Sequence, residues 1–154
     1  LPKFITDQLP YKRNKIQKVI MKKIKNFFKI GFYSANIILI TLYLFPGSIF
    51  GCFLYDNCSK EFQITKDLIT GDFIISSNHI YAFVLLTSLG VSSFHNTKKI
   101  NFLIVYLFLL SIILELFHII IPARGFEMSD LFGNIVGVIL VIFIYKIVIR
   151  YVKT

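Results

Sequence analysis

Four long apolar stretches decide what this chain can fold into. They run over residues 30–50, 73–94, 100–121 and 131–149. A helix that crosses the hydrocarbon core of a bilayer needs about 20 mostly apolar residues, and each stretch supplies that length. Hydrophobic residues make up 56% of the chain and charged residues only 16%, too little polar surface for a soluble domain of 154 residues. Mean hydropathy is +0.73. The expected fold class is an all-α membrane protein, a four-transmembrane-helix bundle in a cell membrane.

The basic residues set an expected orientation. Nine of the 17 Lys and Arg precede residue 30, Lys98 and Lys99 follow the second stretch, and Lys146, Arg150 and Lys153 close the fourth. Only Lys60, Lys66 and Arg124 fall on the other side. The positive-inside rule then places both termini in the cytoplasm. Asp56, Glu61, Asp67 and Asp72 lie in the long outer loop. Pro46 and Gly47 are expected to end or kink the first span.

Residues 1–29 read as a basic amphipathic leader, and residues 30–154 as the membrane domain. Ile16, Val19, Ile20, Ile24, Phe27 and Phe28 recur at helical spacing while lysines fill the other face. Such a helix lies on an anionic inner leaflet or leads into the first span, so membrane lipids are the expected partner. The net charge of +9 is tied to a membrane span and to no recognition module, so nucleic acid is not an expected partner. No cleavable signal peptide is expected, because no short apolar core leads to a small-residue site. Cys52 and Cys58 share the outer loop and read equally well as a disulfide or as two free thiols.

The stretch "ELFHIIIPARGFEMSDLFGNIVG", residues 115–137, interrupts the apolar pattern. Glu115 and His118 share a helix face three residues apart. Asp130, Asn134 and Gly137 follow the i, i+4, i+7 spacing of one face of the next helix. His79, after Asn78, stands about 9 Å from the outer end of the second span at ~1.5 Å per residue, the same depth as Glu115. Polar side chains at such depth cost free energy in lipid, so they face the bundle interior and pair. Arg124 is the expected partner of Glu115 or Asp130, since its planar fork holds a carboxylate or a phosphate. The candidate ligand-binding residues are His79, Glu115, His118, Arg124, Asp130 and Asn134. The bland reading makes Asn134 and Gly137 helix-packing residues and Asp130 a helix N-cap. His95 reads as a loop residue.

At these residues the chain resembles the VanZ-like family of small bacterial membrane proteins. The family pattern is a glutamate, a glutamine three on, a proline-x-arginine turn, then an aspartate, an asparagine and a glycine. Glu115, Pro122, Arg124, Asp130, Asn134 and Gly137 occupy the matching positions, and His79 matches an earlier family histidine. The resemblance runs over about residues 72–149. His118 stands where the family has glutamine, and Val141 stands where a second small residue is expected. The resemblance implies a cell-envelope role of the kind linked to teicoplanin resistance; the common depth of His79, Glu115 and Asp130, with the lysine-based orientation, is what places a pocket in the outer leaflet.

Three functions are weighed. The first is a pocket that binds an amphiphile such as a lipid head group, a lipid-linked glycan or a lipoglycopeptide. The second is an enzyme in which Glu115, His79 or His118 performs acid–base chemistry on a lipid-linked substrate. The third is a non-catalytic structural or accessory subunit of a larger membrane complex, and oligomerisation is compatible with all three. No cofactor is expected, and no metal, because Glu115-x-x-His118 supplies only two ligands.

Overall fold

The computed structural model describes the backbone of residues 3–60, 63–70, 73–95 and 97–152, and the side chains of 16–60, 63–69, 74–95 and 97–151. Glu61, Asp72 and Lys153 therefore lie outside the described residues, as do the side chains of the leader up to Lys15. The order is α1 (Lys3–Leu44), α2 (Ile49–Tyr55), β1 (Leu68–Thr70), β2 (Phe73–Ile75), α3 (Ser77–Phe94), α4 (Ile100–Phe117) and α5 (Met128–Val152). Ile16–Leu44, Ile100–Phe117 and Met128–Tyr151 are long and apolar enough to cross a membrane. The chain is thus mostly helical, with a membrane-protein composition. The small β1–β2 hairpin departs from a purely helical fold.

Leader and first span form one unbroken helix, α1. It stops at Leu44, two residues before Pro46, as the bias of a pre-proline residue away from helix requires. Gly47 then takes φ +82°, and a Cβ there would meet Cys58 O at 2.6 Å. The chain restarts as α2, whose N-cap Ser48 accepts a hydrogen bond from Gly51 N at 3.0 Å. Residues 45–50, read from sequence as the end of the first span, are therefore a turn and a separate short helix. Cys52 in α2 is disulfide-bonded to Cys58.

The second stretch also divides. Phe73–Ile75 pairs antiparallel with Leu68–Thr70, in the register Leu68 to Ile75. Only then does α3 begin. Its first turn is held by the preceding segment: Asp67 Oδ1 accepts from Ser77 N at 2.9 Å, and Ser77 Oγ donates to Thr65 O at 2.7 Å. A carboxylate on the open N–H groups of a helix start is favourable. α3 matches α4 in length, 18 residues each, but Ser77, Asn78 and His79 open it, and it is not among the three helices long and apolar enough to cross a membrane. The third stretch ends early too: α4 stops at Phe117, and turns carry residues 118–121 toward Pro122.

Each helix buries one stripe. On α1 it is Phe32, Asn36, Leu39 and Tyr43, spaced i, i+4, i+7, i+11. On α4 it is Leu103, Leu107, Leu110, Ser111, Leu114 and Glu115. On α5, Asp130, Asn134, Val138 and Ile142 are buried. The outward faces stay apolar, with Phe102, Ile139, Phe143 and Ile144 all exposed. An apolar exterior of this extent marks a surface made for lipid. The tightest approach joins α3 to α5. A Cβ on Gly133 would meet Ser76 O at 2.6 Å, and one on Gly137 would meet Ile80 O at 2.7 Å. Two glycines four apart let two backbones touch, as small-xxx-small pairs do in membranes.

Candidate functional site

Four helix ends converge: the last turn of α1 (Tyr43), the first of α3 (His79), the end of α4 (Glu115 and His118) and the first two turns of α5 (Asp130 and Asn134). The glycine contact sets the distance between the His79 and Asp130 helices. The leucine stripe of α4, continued one turn, turns Glu115 and His118 inward. Glu115, His118 and Asn134 are sealed, at 0%, 1% and 0% exposure. Asp130 is buried and His79 half-buried.

Partners follow from this packing. His79 Nδ1 lies 3.1 Å from Asp130 Oδ1 and 2.7 Å from Ser76 Oγ. His118 Nε2 lies 3.1 Å from Tyr43 O, and its Nδ1 lies 3.3 Å from Glu115 Oε1. A carbonyl oxygen only accepts, so Nε2 carries a proton. The second nitrogen then faces a carboxylate oxygen, Glu115 Oε1. Glu115 Oε1 also accepts the backbone N–H of Glu127 at 3.0 Å, which ties down the loop after α4. Glu115 Oε2 is buried with no hydrogen-bond partner among the described residues.

Tyr43 is the hub that sequence reasoning missed. Its ring stacks on His118 at 5.6 Å between centroids, and meets His79 edge-on at 5.2 Å. Its hydroxyl donates to Asn134 Oδ1 at 2.6 Å. The signal was its place in the buried stripe of α1 with Asn36. Asn134 donates in turn to Ser111 O at 3.4 Å, so its side chain ties α1 and α4 to α5. That is the packing role considered for it from sequence.

Arg124 differs from expectation. Its Nε and one terminal nitrogen donate to Phe45 O and Leu42 O at 3.5 and 3.4 Å, around the end of α1. The ion-pair partners of Glu115 and Asp130 among the described residues are histidines. A helix C-terminus offers unpaired carbonyls to a cation, and the loop after α4 brings Arg124 to that end. Asp130 is likewise no N-cap: it lies inside the first turn of α5 and pairs across to α3. His95 caps the far end of α3, and its carbonyl accepts from Lys25 Nζ at 3.2 Å.

Beside the cluster lies an open cavity of about 350 Å³. Tyr43, Asn78, His79, His118 and Arg124 give it polar walls, and Leu42, Phe50, Ile64, Tyr81 and Leu85 give it apolar ones. Metal ligation was not expected from sequence, because two ligands on α4 do not make a site. The structure gathers a different set: one ligand atom each from His79, Glu115 and Asp130, all within 4.8 Å of one another.

Fold and site together define a class: a mostly helical chain, with three helices fit to cross a membrane and an ionisable cluster buried where helix ends meet. No protein-family model, no curated protein and no solved structure matches the chain.

Proposed function

We propose that the chain is a multi-pass cell-envelope membrane protein that holds the polar head of an amphiphile in the groove beside His79, His118 and Arg124. In this reading α3 is a fourth span, both termini are cytoplasmic, and the cluster lies under the outer head groups. The lysine distribution supports that orientation, and the packing of α3 against α1, α4 and α5 supports four spans. The VanZ-like resemblance belongs to the same proposal. One observation carries it: a single groove joins hydrogen-bonding and cationic side chains to an apolar wall, at the end where the helices meet. Anionic heads meet the guanidinium, while acyl or polyprenyl chains lie along Leu42, Phe50 and Leu85.

The test is binding by the purified full chain in detergent. A polyprenyl phosphate, phosphatidylglycerol and teicoplanin are compared by native mass spectrometry and fluorescence competition. Arg124→Gln and His79→Gln are expected to weaken the preferred ligand at least about tenfold, equivalent to ~1.4 kcal/mol. Unchanged affinity in both variants, with helix content intact, rejects the groove as the site.

One observation favours an enzyme as the second reading. His118 Nδ1 faces Glu115 Oε1 at 3.3 Å, and His118 borders the groove. Turnover of a lipid-linked substrate that Glu115→Gln abolishes would distinguish it from binding alone.

A further inference from the structure

We infer that His79, Glu115 and Asp130 form a binding site for one divalent transition-metal cation, of the zinc or manganese kind, at the foot of the groove. The three ligands come from α3, α4 and α5, and one atom from each lies within 4.8 Å of the others. Two donors on one ion, at bonds of ~2.0–2.2 Å, stand about 3 to 3.5 Å apart. His79 Nδ1 and Asp130 Oδ1 are already 3.1 Å apart. The Glu115 carboxylate closes the set with a shift of roughly 1.5 Å, within the reach of a side-chain rotation.

Two further observations point to a cation. Glu115 is 0% exposed and its Oε1 is occupied by Glu127 N and His118, yet Oε2 has no partner among the described residues. Native proteins satisfy nearly all such buried atoms, and a metal ion meets this one. With His79 and His118 neutral, as ligation requires of His79, two carboxylates cancel a divalent ion, so the loaded site carries no net charge in a dry interior. The donor set narrows the ion. Imidazole favours zinc and other late first-row metals over magnesium and calcium, while carboxylates extend the choice to manganese. Ser76 Oγ lies 2.7 Å from the same His79 Nδ1 and gives up that nitrogen when the ion takes its lone pair. Three protein ligands leave a position open on the ion. His79 borders the groove, so an anionic group bound there reaches that position.

The inference goes beyond amphiphile binding and does not depend on it, because the cation is measured alone. The full chain, with any histidine tag removed, is stripped with chelator in detergent and titrated with ZnCl2 and MnCl2 against a fluorescent chelator. One saturable equivalent is expected. His79→Gln and Glu115→Gln should each weaken it at least tenfold, while His95→Gln at the opposite end leaves it unchanged. Cobalt substituted at the site should give visible absorption bands that Glu115→Gln removes. Absence of a saturable equivalent in the unaltered protein overturns the inference, whatever the variants do. So does equal affinity in His79→Gln, with helix content intact by circular dichroism, and the trio is then a hydrogen-bonded cluster only. Cation binding without amphiphile binding rejects the earlier proposal and keeps this one, and the reverse result does the opposite.

Discussion

At one end of the bundle Glu115, His118 and Asp130 are buried among four helix termini. At the other end Lys22 and Lys25 border a groove with His95 and Tyr145, and Lys99 borders a second one near Tyr106. Both ends carry charge, but the local solvent differs. The lysines are exposed or half-buried, so their ammonium groups keep most of their hydration and need no fixed partner. The acids at the first end have lost water and must find hydrogen bonds or an ion. A charge that keeps its water can set orientation at little cost. A charge sealed inside a bundle is expensive unless paired, so its presence calls for a function.

The largest effect should come from breaking the sealed pair. Glu115→Ala leaves His118 Nδ1 without its partner and Glu127 N–H without its acceptor. Removing one partner of a buried ion pair costs about 3–5 kcal/mol, so the variant should melt far below the parent in detergent, or not accumulate. Glu115→Gln retains an acceptor oxygen and should lose much less. Equal melting of the Ala variant and the parent would put the acid end on the same footing as the lysine end.

The next effect should come from the glycine seam that holds the acid end together. Gly137→Val sets a side chain against Ile80 O and Phe83 Cβ, at 2.7 and 2.9 Å from the new Cβ. Neither can yield without moving α3, and overpacking of this sort costs about 1–3 kcal/mol. Gly125, which has open space around it, is the control, and Gly125→Ala should be silent in the same melt.

How much of this the sequence revealed depended on contrast. Glu115, Asp130 and Asn134 stand out because acids and amides in an apolar run are costly and therefore conspicuous. Tyr43 did not stand out, since a tyrosine near a span end reads as an interfacial aromatic. Gly133 was hidden beside Asn134, although Gly137 was read. The strand Phe73–Ile75 reads as part of a span because three apolar residues have no period of their own, and only pairing with Leu68–Thr70 decides them. Asp67 passed for a loop acid, because its cap on Ser77 needs the hairpin that brings it there. The His79, Glu115 and Asp130 trio is invisible in the sequence for the same reason: its members lie on three helices, and no local spacing records them. Arg124 reads in the right loop, but its bonds to Leu42 O and Phe45 O are not legible, since sequence cannot say which helix end a loop side chain reaches.

Tyr43 tests how far the acid end acts as one unit. Tyr43→Phe keeps both ring contacts and deletes only the bond to Asn134. Side-chain hydrogen bonds in membranes average about 0.6 kcal/mol and reach about 1.7, so a loss inside that range is expected in a thermal melt. A second measurement separates packing from chemistry: zinc affinity should be unchanged, because the hydroxyl is not a ligand.

The smallest effect should fall at the basic end. Lys25 Nζ donates to His95 O at 3.2 Å from a half-buried side chain. Lys25→Gln removes one cation and retains a donor, so stability should change by no more than about 0.5 kcal/mol. Orientation responds to the summed positive charge, and eight other Lys and Arg still precede residue 30 once Lys25 is gone. Accessibility labelling of a cysteine placed at Lys98 should therefore report the same side of the membrane in Lys25→Gln as in the parent. If this single change inverted the protein, the lysine end would be a specific site as finely set as the acid end, and the contrast between solvated and sealed charge would fail.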